Sequence, residues 1–373
     1  MVLAGSALVL AMAVLFWRQS GRQDGPPRAA LQEDVVDGDW QLVGIAASTM
    51  AMNRRTCLGA LTLGALRASL VPVPAFAAAS TGAVRLAALE AQAGGRLGVM
   101  VLDSGTGRGF GWRQDERFAH CSTFKLSLAA MVLAQIDAGH ARGEEVIPFS
   151  VLDVLPASPV TDAAATRIAA DETLAGKEGM PILALAEAAV VRSDNLAANL
   201  LLARFGGPAA LTAFWRALGD RLSRLDHHEL ELNRVAPGAE HDTTTPAAMA
   251  TTVAHLLTRP NLSGESRAHL WAWMKACSTG RGRLRAGLPF GWQAGDKTGT
   301  WTSAGMTARI NDLALVLAPV GDRHFTAPLA VTAYYEPPGT PDAVRPADEA
   351  VLAAVMRIAT DPAAGHGHGP ARQ

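Results

Sequence analysis

The sequence predicts an α+β fold: an antiparallel sheet flanked by N- and C-terminal helices, with an all-helical lobe inserted between the halves of the sheet. Three observations predict it. Strand-like segments occur only towards the two ends, at 97–102 and 108–113 and again at 292–301, 310–318 and 327–336. Between about 120 and 275 the pattern is helical and rich in alanine and leucine. Helical spacing recurs outside both strand groups, at 83–93 and 346–360. Strands from both ends then share one sheet, and a cleft between sheet and helical lobe is a natural place for a site.

Each element has a local cause. Residues 83–93 (AVRLAALEAQA) carry apolar side chains at helical spacing, and Gly94-Gly95 stops them. Residues 97–102 (LGVMVL) read as a buried strand. Asp103-Ser104-Gly105-Thr106-Gly107 supplies turn chemistry before the returning strand. The glycines at 105, 107, 109 and 111 do not match a dinucleotide-binding fingerprint. In the helical region the segments 123–138, 182–190, 196–205, 208–218 and 246–258 stand out. The last of these opens with Thr245-Pro246, a cap followed by proline at the first helical position. Residues 219–244 show no period.

Composition narrows the function. The 373 residues are 49% hydrophobic and 18% charged, enough apolar matter for a large core. A net charge of −1 lacks the signature of a nucleic-acid binder. Three cysteines make neither a disulfide framework nor a four-cysteine zinc site. There are four lysines (Lys125, Lys177, Lys275 and Lys297) against 29 arginines. A lysine kept in such a chain points to a need for an amine that can lose its proton, which arginine effectively cannot.

The N-terminus reads as a leader. Met52 opens a segment in which Arg54-Arg55 precede a weakly apolar run ending in Ala75-Phe76-Ala77, resembling a twin-arginine export signal. Residues 1–51 either lie upstream of the true start, at Met52 or Met50, or carry an N-terminal anchor in the uncharged apolar run 1–17; on the first reading 1–77 are not part of the mature protein, and the product works outside the cytoplasm, periplasmic or secreted. The folded domain is expected over 78–362, with a sheet lobe at 80–119 and 276–362 and a helical lobe at 120–275. The tail, 363–373, is expected to be disordered.

Four short motifs carry chemistry. Ser122-Thr123-Phe124-Lys125 puts a hydroxyl and an amine on one helical face, where the amine can act as base and helix-terminal N–H groups can meet an oxyanion. Ser193-Asp194-Asn195 follows the helical run 182–190 and reads equally as a cap. Lys297-Thr298-Gly299-Thr300 alternates cation and hydroxyl along a strand, with a glycine that permits close approach. In the non-periodic stretch, Glu229 and Asn233 can hold one water between them, making Glu229 a general base. His227, His228 and His241 lie nearby, but not at a recognised ligand spacing, so no metal and no cofactor are expected.

Taken in this order, the serine-x-x-lysine, SDN and KTG motifs resemble those of class A serine β-lactamases and penicillin-binding proteins. The steps are 71 residues from Ser122 to Ser193, 36 to Glu229 and 68 to Lys297; the last two are similar to class A spacing and the first is long. The resemblance runs from about residue 83 to 360. It implies Ser122 as nucleophile, with Lys125 and a Glu229-held water as rival bases. It implies an oxyanion hole from the N–H groups of Ser122 and Thr300. Ser193, helped by Lys297, passes a proton to the leaving nitrogen. Asn195 meets the substrate's side-chain amide, and Lys297, Thr298, Gly299 and Arg283 surround its carboxylate. Glu229 with Asn233 separates a hydrolase that turns over from penicillin-binding proteins that stay acylated. The partner implied is a small β-lactam, with no nucleic acid, no stable membrane association after leader removal, and a monomeric state. The other readings are a D-alanyl-D-alanine peptidase, a serine esterase on the same scaffold, or a non-catalytic binding protein.

Several positions depart from the family pattern. Ala157 replaces an aromatic at the cleft mouth, and 162–178 reads as a loop insertion beside it. His227 replaces the arginine that pairs with Asp242; either a His–Asp contact or Arg224 with Asp226 then holds the loop. Trp301 is bulky for the substrate-facing strand. Cys121 is either a buried wall residue or bonded to Cys277.

Overall fold

The computed structural model describes residues 80–171 and 179–365. The leader segments, Lys177 and the tail from 366 lie outside the described residues. No helix among them is long and apolar enough to cross a membrane.

The chain enters through α1 (Thr81–Ala93), capped by Ser80, whose hydroxyl accepts from the Ala83 N–H at 3.2 Å. Gly94, at φ 74°, ends it in a conformation that costs glycine little. Strands β1 (Arg96–Asp103) and β2 (Gly109–Trp112) form a hairpin. A two-residue strand β3 (Phe118–Ala119) precedes a 3₁₀ turn at Cys121–Thr123 and helix α2 (Phe124–Asp137). Every α2 residue from Phe124 to Leu133 is buried, the pattern of a helix enclosed on all sides.

The helical lobe continues through β4 (Val146–Ile147), α3 (Pro159–Ala170), β5 (Met180–Pro181), α4 (Ile182–Val191), α5 (Asn195–Arg204) and α6 (Gly207–Ala217). After an irregular stretch come β6 (Thr243–Thr244), which pairs with β3, and helices α7 (Pro246–Thr258) and α8 (Gly264–Ala276). The chain then returns to the sheet as β7 (Gln293–Trp301), β8 (Arg309–Leu317) and β9 (Leu329–Glu336), and closes with α9 (Pro346–Ala359).

The five long strands stand in the order β2-β1-β9-β8-β7, every pair antiparallel. Both ends of the chain therefore build one sheet, as the strand distribution predicts. Val99 and Val101 join one core with Leu86, Leu352 and Met356 from α1 and α9. Met100 and Leu102, one residue out of phase, face the opposite core, whose centre is α2. That second core continues into α4–α8, so one side of the sheet is fused to the helical lobe.

The structure corrects the sequence reading at three places. Residues 159–170 are the helix α3, not a loop; the Ser158-Pro159 start was its visible signal. Only 172–178 of the expected insertion lie outside the described residues. Helix α8 falls in the region read as helical without standing out as a segment of its own, because the exposed Glu265 and the half-buried Arg267 and His269 blur its period. At the C-terminus Pro362–Ala364 form a 3₁₀ turn with Ala364 buried, so ordered structure extends past 362.

Asp194 shows how the lobe is tied together. Its buried carboxylate accepts from the N–H of Ala197, capping α5, and from Val160 N–H, Thr161 N–H and the Thr161 hydroxyl at the start of α3, all at 2.9–3.0 Å. One side chain thus caps two helices. Asp194→Ala strands four donors and is expected to lower stability by about 2–4 kcal/mol, while Asp194→Asn loses less. Thermal unfolding of both variants checks this; an alanine variant as stable as the parent contradicts it.

Candidate active site

The nucleophile position is set by the 3₁₀ turn before α2. Cys121 adopts φ 45°, in the left-handed region that side chains other than glycine rarely take. Neighbours hold it there. The Asn311 side-chain amide, from β8, donates to the carbonyls of Ala119 and His120 at 2.9 and 3.3 Å. Gly299 of β7 packs so closely that a Cβ would lie 2.7 Å from the His120 carbonyl oxygen and 2.9 Å from Thr123 Cγ2. The glycine of the KTG motif therefore lets the strand touch the turn that carries Ser122.

Lys125 follows one helical turn later and is completely buried. Its Nζ lies 3.0 Å from Ser122 Oγ, 2.8 Å from the Ser193 carbonyl, 2.5 Å from Asn195 Oδ1 and 3.0 Å from Glu229 Oε1. Four oxygens contributed by three separate parts of the chain converge on one ammonium. The Ser122 hydroxyl also reaches Glu229 Oε1 at 3.3 Å. The second Glu229 oxygen accepts from the Asn233 amide at 2.8 Å. The nucleophile thus lies within reach of both groups named as its base.

Glu229 is fixed from behind by a residue the sequence reading did not single out. Asn199 accepts from the Glu229 N–H and donates to its carbonyl, both at 2.9 Å. The signal was present: Asn195 and Asn199 lie i, i+4 on α5, whose other residues before Arg204 are apolar, one facing Lys125 and the other the Glu229 backbone.

Ser193 takes φ 56° and turns its hydroxyl to Lys297 Nζ at 3.0 Å. Lys297 is fully buried and also donates to the Thr298 carbonyl at 2.8 Å. Burial, with the Lys125 charge nearby, pulls its ammonium down to about 8. Next to it, the Thr298 hydroxyl pairs with that of Thr279 at 2.6 Å.

Arg283 sits elsewhere than facing open space. It is 3% exposed, donates to the carbonyls of Gly299 and Asn311 at 3.0 Å each, pairs with Glu349 of α9 and reaches Thr300 Oγ1 at 2.8 Å. Its guanidinium supports β7 from within and touches the cleft through Thr300. Of the other motif residues, Ser122, Ser193, Asn195, Glu229, Asn233, Thr298 and Thr300 line one cleft of about 790 Å³. Ala157 and Trp301 also line it.

The two cysteines left open by the sequence are both buried and unbonded. Burial pushes the Cys121 thiol up to about 12, which makes it an inert wall behind the nucleophile. Both alternatives for the loop are present together. His227 Nδ1 lies 2.6 Å from Asp242 Oδ2, and Arg224 pairs with Asp226 at 2.5 and 2.9 Å. Asp242 holds His227 above its ordinary pKa, by that hydrogen bond first.

Comparison with known proteins agrees with this geometry. The family model described as the β-lactamase enzyme family matches residues 83–358. Beta-lactamase L2 of Stenotrophomonas maltophilia is 45% identical over 259 residues, which are 69% of this chain and 79% of that protein. Among solved structures, an ancestral (GNCA) class A β-lactamase aligns with a TM-score of 0.65 at 46% identity, covering 74% of this chain and 98% of its own. A β-lactamase from Burkholderia vietnamiensis aligns with a TM-score of 0.66 at 42% identity, covering 74% and 94%. The chain belongs to the β-lactamase enzyme family, as a class A serine enzyme.

Proposed function

We propose that this protein hydrolyses the β-lactam amide of penicillin- and cephalosporin-type compounds through an acyl-serine intermediate. The observation that carries the reading is the convergence of Ser122, Lys125 and Glu229 within 3.3 Å of one another at the floor of the cleft.

The steps follow from the positions. Ser122 Oγ attacks the lactam carbonyl, and its proton passes to Glu229, directly or through a water, or to Lys125 once that group has given a proton to Glu229 at 3.0 Å. The developing oxyanion meets the N–H groups of Ser122 and Thr300. The C–N bond breaks as the ring nitrogen takes a proton from Ser193, which Lys297 orients and resupplies. Asn195 meets the substrate's side-chain amide, while Thr298 and Thr300, backed by Lys297 and Arg283, face its carboxylate. In the second half Glu229, ionised again once the proton taken from Ser122 has moved on to restore Lys297, takes a proton from a water held with Asn233; that water attacks the ester, the C–Oγ bond breaks, and Glu229 passes the proton to Ser122 Oγ, which leaves as the free hydroxyl. Asn233 holds the carboxylate and Asn199 the Glu229 backbone for that step, which supports turnover over permanent acylation. Export through a twin-arginine-like leader cleaved after Ala77, and action as a monomer on substrate outside the cytoplasm, complete the reading.

Two experiments test it. Ser122→Ala abolishes nitrocefin hydrolysis, and Glu229→Gln acylates yet fails to deacylate, so that intact-mass spectrometry shows the protein plus one bound β-lactam. Residual turnover in the first variant, or normal deacylation in the second, contradicts the assignment.

The second concerns pH. Lys297 is cationic below about 8 and neutral above it, so attraction of a substrate carboxylate fades as pH rises through that value. For a carboxylate-bearing penicillin, kcat/KM is expected to fall along an alkaline limb with an apparent pKa of about 8. Lys297→Arg, whatever its absolute activity, moves that limb upward because guanidinium stays charged. A limb that stays in place in the variant assigns it to another group.

A further inference from the structure

We propose that His227, His241 and Asp242 form a binding site for one divalent ion of the zinc type at the neck of the loop that carries Glu229. The proposal goes beyond β-lactam hydrolysis, which uses none of these three side chains.

The sequence shows three histidines, at 227, 228 and 241, with no ligand spacing between them. Folding discards His228 and brings in Asp242. The segment from Asp226 to Asp242 closes on itself, so that its first and last residues touch. Asp242 adopts φ 55° and is completely buried. Its Oδ1 accepts the backbone N–H groups of Asp226 and His227 at 2.8 and 3.0 Å. These two bonds orient the carboxylate and leave Oδ2 as its donor atom, as carboxylates around metals are held. Both imidazoles turn Nδ1 to that one oxygen, His227 at 2.6 Å and His241 at 3.0 Å. The rings stand edge to face at 84°, so their lone pairs approach one point from different directions. One ligand atom from each of the three residues lies within 4.8 Å of the others.

The donor set selects the ion. Two imidazole nitrogens and one carboxylate oxygen match three-ligand zinc sites, with bonds of about 2.0–2.2 Å and a fourth position for water. They do not suit magnesium or calcium, which take oxygen ligands. The two imidazoles are 45% and 35% exposed, which leaves a path for the ion and its water. On binding, each Nδ1 gives up the proton it shares with Oδ2, either to solvent or by moving to Nε2, and its lone pair goes to the metal. The bound ion ties residue 227 to residues 241–242 and so closes the loop two residues before Glu229.

The test uses the whole protein stripped with chelator and titrated with ZnCl₂ by calorimetry at neutral pH. The expected result is one Zn²⁺ per chain and a Tm rise of about 5 °C at a zinc concentration about a hundredfold above Kd. Zinc also slows hydrogen exchange in peptides covering 226–242. His241→Gln weakens binding at least about tenfold while its melting curve in chelator and its nitrocefin hydrolysis match the parent. Should that variant misfold, His227→Gln serves for the zinc titration alone, because loss of the His227–Asp242 bond is itself expected to lower the melting temperature in chelator. The chain also carries His366 and His368, so His366→Gln/His368→Gln is the control and is expected to bind as the parent does. No binding, binding unaffected by loss of His241 and of His227, or binding lost in the tail variant overturns the proposal. Each of those results leaves the hydrolytic reading standing, since nitrocefin turnover is measured separately.

Discussion

The ammonium of Lys125 is the point on which the rest of the site depends. A completely buried cation is costly unless oxygens replace its water, and here four do so: Ser122 Oγ, the Ser193 carbonyl, Asn195 Oδ1 and Glu229 Oε1. Those oxygens come from the turn before α2, from the α4–α5 junction and from the irregular loop before β6. Satisfying one charge therefore draws three distant parts of the chain together, and the nucleophile, its proton acceptors and the hydrolytic carboxylate arrive with them. A charge stabilised only by this constellation also makes each of its partners costly to remove.

The surrounding fold holds the positions that such a site demands. Ala157 and Ser193, which line the cleft, and Cys121, buried behind Ser122, take φ between 45° and 57°, a conformation costing about 1–3 kcal/mol at each residue. Each is countered locally. Asn311 and the bare backbone of Gly299 clamp the turn at Cys121. The Asn195 N–H donates to the Ala157 carbonyl at 3.1 Å, and its side-chain amide donates to Pro156 O at 2.8 Å. Asp194 anchors the backbone beside Ser193 by capping two helices. The middle residue of the SDN motif is thus a structural cap, while Ser193 and Asn195 on either side face the chemistry.

What was legible in the sequence was local. The i, i+3 pair of Ser122 and Lys125, the Thr245-Pro246 helix start and the strand periodicities all depend on neighbours within one or two turns, and the segments given bounds as helix or strand formed within about two residues of them, unlike 159–170, a helix where a loop was expected. What escaped depended on partners far along the chain. Asp194 meets Val160 and Thr161 more than thirty residues upstream. Arg283 shares the KTG neighbourhood in sequence terms, yet Glu349 and the β7 and β8 carbonyls draw its guanidinium into the interior. The His227–Asp242 contact was foreseen from the family pattern, but the approach of His241 to the same oxygen depends on how the non-periodic segment closes on itself. No spacing rule anticipates that closure.

Whether the hydroxyl, amine and carboxylate act as one connected unit is best tested by the single-turnover acylation rates of Lys125→Met, Glu229→Gln and the variant carrying both. If the three groups form one proton-transfer network, the double variant acylates no more slowly than the slower single variant. Losses that multiply would show that Lys125 and Glu229 act independently, and would contradict the account.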